Sequence, residues 1–323
     1  MTIMLIEALA ARPPLIVEGA MATELEKRGV DTANALWAAM ALLDRPEAIR
    51  DVHRSYFEAG ANIAVTDTYQ ANIPAFERLG LRHADAERLI ALAASEALAA
   101  REDYRLAHVD AAQEGRPLLV AGSVGPYGAF LADGSEYTGA YELPESEYQD
   151  FHLPRMHVLA DAGVDLFAFE TMPNLGEVRA LANLLADEFP EAQAWMSFSL
   201  RDAGHLCDGT CLEAAAAAID DIPQIGAVGV NCVPPSMVEE AVGRLRSATG
   251  KAIVVYPNNG DVYHPGTKTW TPAPGDEDFV RLAPRWLEAG ASLIGGCCRT
   301  TPDDIRRLAR RLGADDGSRG RQG

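Results

Sequence analysis

Lysine is nearly missing from this chain. It occurs only at Lys27, Lys251 and Lys268, and with the arginines it makes 28 basic residues against 47 acidic ones, a net charge of -19. A surface of that sign repels a phosphate backbone and excludes nucleic acid as the natural partner. It is compatible with a cationic small molecule, although charge alone names no substrate. Long apolar runs are missing too. Stretches such as 214–219 fall far short of the roughly 20 residues that cross a bilayer, which leaves no membrane partner. The apolar start of the chain is interrupted by Glu7 and has no basic stretch before it, so it does not read as a secretory signal. Cysteine is scarce and odd in number, five in 323 residues, which fits a reducing cytoplasm better than a disulfide framework. No GxGxxG turn follows the first apolar strand, where the residues are Glu18-Gly19-Ala20-Met21-Ala22. That argues against an open dinucleotide-binding sheet.

What is present is a strand followed by a helix, eight times. Apolar strands read at 15–17, 63–66, 118–121, 166–169, 194–199, 227–232, 252–256 and 292–294. Helical stretches read at about 48–59, 85–104, 144–162, 175–188, 211–219, 236–248, 276–289 and 302–312. Continuous apolar strands alternating with amphipathic helices indicate a parallel sheet covered by helices. Eight such units in about 300 residues indicate a closed (β/α)8 TIM barrel. No linker or internal repeat divides the chain, so residues 1–312 read as one barrel domain and 313–323, rich in Gly, Arg and Asp, as a disordered tail. The oligomeric state is not readable.

The most informative stretch is Gly295-Gly296-Cys297-Cys298 at the end of the eighth strand. Two adjacent cysteines do not bridge each other easily, but both can face one soft cation where glycines let the backbone bend. Strand six also ends in a cysteine, Cys232. Three thiolates at two strand ends suggest zinc with a fourth position open, the mark of a catalytic rather than a structural site. In a barrel the active site lies at the C-terminal ends of the strands. The polar or reactive residues there are Glu18, Asp67, Ser123, Glu170, Ser199, Cys232, Asn258, Cys297 and Cys298, so they converge on one mouth. A carboxylate closing an apolar strand is costly without a partner, which marks Glu170 as a site residue. Asp67 either caps the following loop or contacts substrate. Tyr69, Tyr127 and Ser123 divide evenly between pocket wall and packing. Arg299 reads as a loop anchor held by a salt bridge, and Cys207 and Cys211 as ordinary free thiols.

At these cysteines the sequence resembles the homocysteine S-methyltransferase family. The likeness extends through Glu18 to Leu25, Ser123 to Gly128, Leu131 to Tyr137, Phe169 to Asn174, Ser197 to Asp202, Val255 to Asn258 and Gly295 to Ile305, from about residue 13 to 312. It is greatest to the short bacterial and plant enzymes that use S-methylmethionine. The resemblance implies that Cys232, Cys297 and Cys298 bind Zn2+ and that Glu170 helps hold the amino group of homocysteine. Glu18 stands where the family usually has Asp, which keeps the carboxylate and adds a methylene. The function implied is methyl transfer from a sulfonium donor, S-methylmethionine or S-adenosylmethionine, to the thiolate of homocysteine, giving methionine. Glu18, Asp67, Ser123, Tyr69 and Asn258 are the further candidates for substrate contact. Two alternatives stand beside this: the same chemistry on another thiol or selenol such as selenocysteine, and a non-catalytic zinc or thiol sensor.

Overall fold

In the computed structural model the described residues are 5–11, 13–32, 36–108, 115–264, 269–271 and 278–313. Eight parallel strands build the centre: β1 Leu15–Ile16, β2 Ile63–Val65, β3 Leu119–Val124, β4 Leu166–Met172, β5 Ala194–Phe198, β6 Ile225–Asn231, β7 Ala252–Tyr256 and β8 Leu293–Ile294. They neighbour one another in the order β1-β8-β7-β6-β5-β4-β3-β2. A parallel bridge from Val17 to Ile63 joins β1 back to β2. The expected (β/α)8 barrel is therefore observed. The outer helices are α1 Pro46–Ala59, α2 His83–Ala107, α3 Glu145–Asp161, α4 Leu175–Glu188, α5 Leu212–Ala217, α6 Pro235–Ala248, α7 Phe279–Ala289 and α8 Pro302–Leu312.

The helix ends follow local chemistry. Pro46 opens α1 within its first turn, and Gly60 closes it in the left-handed region at φ 111°. The side chains of Thr301 and Asp304 form a capping box at the start of α8. That cap fixes the chain just after Cys297-Cys298. Helix α7 begins at Phe279, capped by Asp278, rather than at 276; residues 276 and 277 lie outside the described residues, as does the expected tail from 314 onward. Two features were not legible as strands, the antiparallel pairs Leu200–Asp202 with His205–Leu206 and Val262–His264 with Thr269–Thr271. Both lie in the loops that follow barrel strands.

Two cores result. One lies between sheet and helices; the other fills the barrel, where Leu15, Val17, Leu119, Leu166, Trp195, Val254 and Leu293 meet. Helix Leu5–Ala11 joins the second core, with Leu5 and Ala8 buried against the barrel interior. The bulk of Trp195 is accommodated because its neighbours inside are small, such as Ala168 and Ala227. Strands β6 and β8 approach their neighbours more closely than a side chain allows. A Cβ on Gly229 would lie 1.6 Å from the carbonyl oxygen of Val254, and one on Gly295 2.5 Å from that of Val17. These two strands carry the cysteines to the mouth.

Candidate active site

Cys232 follows β6 and takes the left-handed region at φ 56°. Its N–H donates to Tyr256 O at 3.2 Å, and its own carbonyl accepts from Asn258 Nδ2 at 3.2 Å. Cys297 and Cys298 follow β8. The turn is tied by Cys297 N–H to Pro257 O at 2.7 Å and by the Thr300 hydroxyl to Cys297 O at 2.7 Å. The sulfurs form a triangle: Cys232 to Cys297 3.3 Å, Cys232 to Cys298 3.5 Å, Cys297 to Cys298 4.0 Å. Sulfurs bound tetrahedrally to zinc at about 2.3 Å sit roughly 3.8 Å apart, so the triangle has the right size for a soft ion with one corner open. Among the described residues this is the one group of three or more His, Cys, Asp or Glu side chains that could hold a metal ion. Cys207 and Cys211 do not join it; both are free thiols. Hydrogen bonds from Cys297 and Cys298 hold the Cys232 thiol well below the usual range. The bond to Cys232 leads in pushing Cys297 and Cys298 up, as befits a group that keeps one thiolate and shares its protons.

The triangle opens on a pocket lined also by Glu18, Asp67, Tyr69, Tyr137, Glu170 and Thr171. The segment after β1 adds the apolar residues Met21, Leu36, Trp37 and Ala38 to the lining, beside the polar Thr23 and Glu26. Five non-glycine residues have left-handed backbone among the described residues, and four of them, Trp37, Thr171, Cys232 and Arg299, line this pocket. Such strain is held where the surrounding structure over-determines it, and it concentrates at functional sites.

The strand-end carboxylates differ in their partners. Glu18 Oε1 accepts from Val65 N–H at 2.8 Å, and Oε2 lies 3.0 Å from His53 Nδ1 on α1. Glu170 accepts from the Ser123 hydroxyl at Oε1 and contacts the Tyr256 hydroxyl at Oε2, 3.1 Å away. Asp67 is 6% exposed, and its buried Oδ2 has no hydrogen-bond partner. Burial pushes both the Asp67 and the Glu170 carboxyl up to about 7. His53 opposes this at Asp67, and Ser123 and Tyr256 oppose it at Glu170.

A hydroxyl chain beneath the pocket holds the Glu170 carboxyl in place. Ser197 Oγ lies 2.7 Å from both Asn231 Oδ1 and the Tyr256 hydroxyl. Asn231 Oδ1 also accepts from Thr171 N–H at 2.7 Å, so it can only accept, and the single Ser197 proton goes to it. Trp195 Nε1–H donates to Tyr256 at 3.0 Å. The Tyr256 hydroxyl donates to Glu170 Oε2 and is itself held by Trp195 and Ser197, so the chain fixes the orientation of the carboxyl from below.

The structure thus brings Cys232, Cys297, Cys298, Glu18, Asp67, Tyr69 and Glu170 onto one pocket. Ser123 and Asn258 do not line it; Ser123 stands behind Glu170 and Asn258 behind Cys232. Tyr127 packs elsewhere, against Phe130 and Phe151. Arg299 is paired with Asp261 at 3.3 Å, as expected of a loop anchor. The residues that sequence reasoning missed are Tyr137, whose hydroxyl lies 3.6 Å from Cys232 Sγ, and His53. Tyr137 sits in a loop segment of the family likeness and could have been singled out there. His53 is on a helix face that reads simply as amphipathic.

Fold and site together define a parallel barrel with a three-thiol candidate metal centre at its C-terminal mouth. The comparisons sharpen this. The homocysteine S-methyltransferase family pattern matches residues 15–312, and the chain belongs to that family. It is 45% identical to homocysteine S-methyltransferase YbgG of Bacillus subtilis, over 92% of this chain and 94% of that one. It is 48% identical to homocysteine S-methyltransferase of Escherichia coli, over the same shares. The metallated form of homocysteine methyltransferase MmuM from Escherichia coli superposes with a TM-score of 0.84 at 45% identity, over 94% of this chain and 98% of that one.

Proposed function

We propose that the protein transfers a methyl group from a sulfonium donor, S-methylmethionine or S-adenosylmethionine, to the thiolate of homocysteine, with Zn2+ held by Cys232, Cys297 and Cys298. The observation that carries this reading is the sulfur triangle, sized for a tetrahedral soft ion and opening on a pocket of buried carboxylates. Bound there, zinc supplies the Lewis acidity that keeps a substrate thiol ionised, where a free thiol with a pKa near 8.5 would be only a few per cent thiolate at neutral pH.

The chain's own residues do the rest. Glu170 meets the substrate ammonium, and Ser123 and Tyr256 fix its orientation. Asn258 holds the Cys232 loop in register. Tyr69 and Tyr137 wall the region beside the sulfurs, and Met21, Leu36 and Trp37 add apolar surface to the pocket. The negative charge of the thiolates draws the sulfonium in. When the methyl carbon passes from S+ to S−, the C–S bond to the donor breaks with its electron pair and both charges vanish, so no base acting on water is needed. Holding donor and acceptor in line contributes roughly 7–11 kcal/mol to such a transfer. The odd count of five cysteines supports a reducing, cytoplasmic setting.

The test is methionine formation from homocysteine with S-methylmethionine, S-adenosylmethionine or betaine supplied separately, before and after chelation. Turnover with a sulfonium, abolished by the chelator and restored by zinc, is expected. Protein carrying one zinc per chain that forms no methionine from any donor would overturn the reading.

A further inference from the structure

The pocket holds more carboxyl groups than one substrate ammonium at Glu170 explains. Glu18, Asp67 and Glu170 all line it, at the ends of β1, β2 and β4, and all are buried. They are not equivalent. Glu18 has a protein donor on each oxygen, Val65 N–H and His53 Nδ1, and is fastened to the barrel wall. Glu170 also has a partner on each oxygen. Asp67 Oδ2 has none, although the residue is only 6% exposed. A buried carboxylate without donors is the costly case, and proteins retain it where something else supplies the positive charge. No Lys lines the pocket, and its one Arg, Arg299, is engaged by Asp261 and lies 3.8 Å from Glu26. Burial raises the Asp67 carboxyl to about 7, so a proton neutralises it when nothing is bound, and a cationic ligand arriving at Oδ2 would take that proton's place.

We propose that Asp67 is a recognition point for the α-ammonium group of an amino-acid substrate, and that Glu18 is a positioning residue that acts through His53 and the β2 backbone. This rests on the methyl-transfer reading, in which both acceptor and donor carry an α-ammonium. The shared chemistry is the ammonium, and kinetics separates the two sources.

The experiment compares full-length, zinc-loaded wild type with Asp67→Asn and Glu18→Gln. Loss of a charge-assisted hydrogen bond predicts that Asp67→Asn raises one KM about 10- to 100-fold and changes kcat less. A rise confined to homocysteine places the acceptor's ammonium at Asp67; a rise confined to the sulfonium places the donor's there. Zinc content stays at one per chain in either case. Glu18→Gln is expected to lower the melting temperature more than it moves either KM. Direct binding keeps the result independent of turnover: 2-aminobutanoate, an amino acid without a thiol, should bind wild type and lose about tenfold or more in affinity to Asp67→Asn, while 4-mercaptobutanoate, which lacks the ammonium, binds both alike. Should Asp67→Asn not fold, Asp67→Glu and the wild-type preference for homocysteine over 4-mercaptobutanoate give the same readout. Unchanged KM values for both substrates, with unchanged 2-aminobutanoate binding, would overturn the assignment. Absence of turnover in the zinc-loaded wild type, with 2-aminobutanoate still discriminated, would instead count against the methyl-transfer reading.

Discussion

The two ends of the barrel are built on opposite rules. At the lower end Leu5 and Ala8 lie against Leu15, Trp195 and Leu293, all buried and all in apolar contact. At the mouth, left-handed backbone at Thr171, Cys232 and Arg299 accompanies an Asp67 whose buried Oδ2 has no partner and three crowded sulfurs. The lower end follows the local rules of packing and contributes stability. The mouth departs from those rules and depends on the rest of the molecule to hold it. Departures from local consistency are expected where a protein does chemistry.

That division can be broken by experiment. The largest effect belongs to the mouth. Cys298→Ser removes one corner of the triangle, and methyl transfer should fall by more than the 10- to 100-fold typical of changes around a metal ligand, with zinc content dropping below one per chain. Metal analysis and turnover on the same sample check this; retained zinc with full activity would remove Cys298 from the site. The next effect belongs to the lower end. Leu5→Ala leaves a cavity in a packed region and should cost about 2–5 kcal/mol in urea denaturation. Both KM values should stay unchanged, and a shift in either would mean that the two ends are not independent.

The smallest effect is a fraction of a proton. Burial raises Asp67 and Glu170 to about 7, so in the folded protein both keep protons that the unfolded chain releases near pH 4. Their contribution to stability is thus full below about pH 4 and fades as pH rises through 7. An arriving ammonium reverses the preference and favours the carboxylates. Binding of 2-aminobutanoate should therefore strengthen from pH 5.5 to 7.5 and release protons at pH 6, measured by titration calorimetry in two buffers of different ionisation enthalpy. Proton uptake would contradict the sign.

Much of this molecule was legible in its sequence because barrel strands are buried on both faces and read as unbroken apolar runs. The polar residues ending those runs gave the mouth, and with it Cys232, Cys297, Cys298, Glu170 and Asp67. What a strand end does not reveal is direction. Ser123 and Asn258 stand at the right height, yet their side chains serve Glu170 and the Cys232 carbonyl from behind. Partnerships between distant elements were equally hidden. Nothing in 46–59 announces that His53 will meet Glu18, because a buried polar residue on an amphipathic helix looks like an exception to its face until the neighbour is known. The helix Leu5–Ala11 is only two turns long, too short for periodicity to separate it from a disordered start.

That short helix also bears on how the site is reached. Leu5 and Ala8 are buried in the core that fills the barrel, so among the described residues the sulfur triangle opens only toward the pocket at the opposite end. For the proposed transfer this puts acceptor and donor on the same side of the sulfurs. Seven residues near the start of the chain, none of them lining the pocket, thereby make the site one-sided.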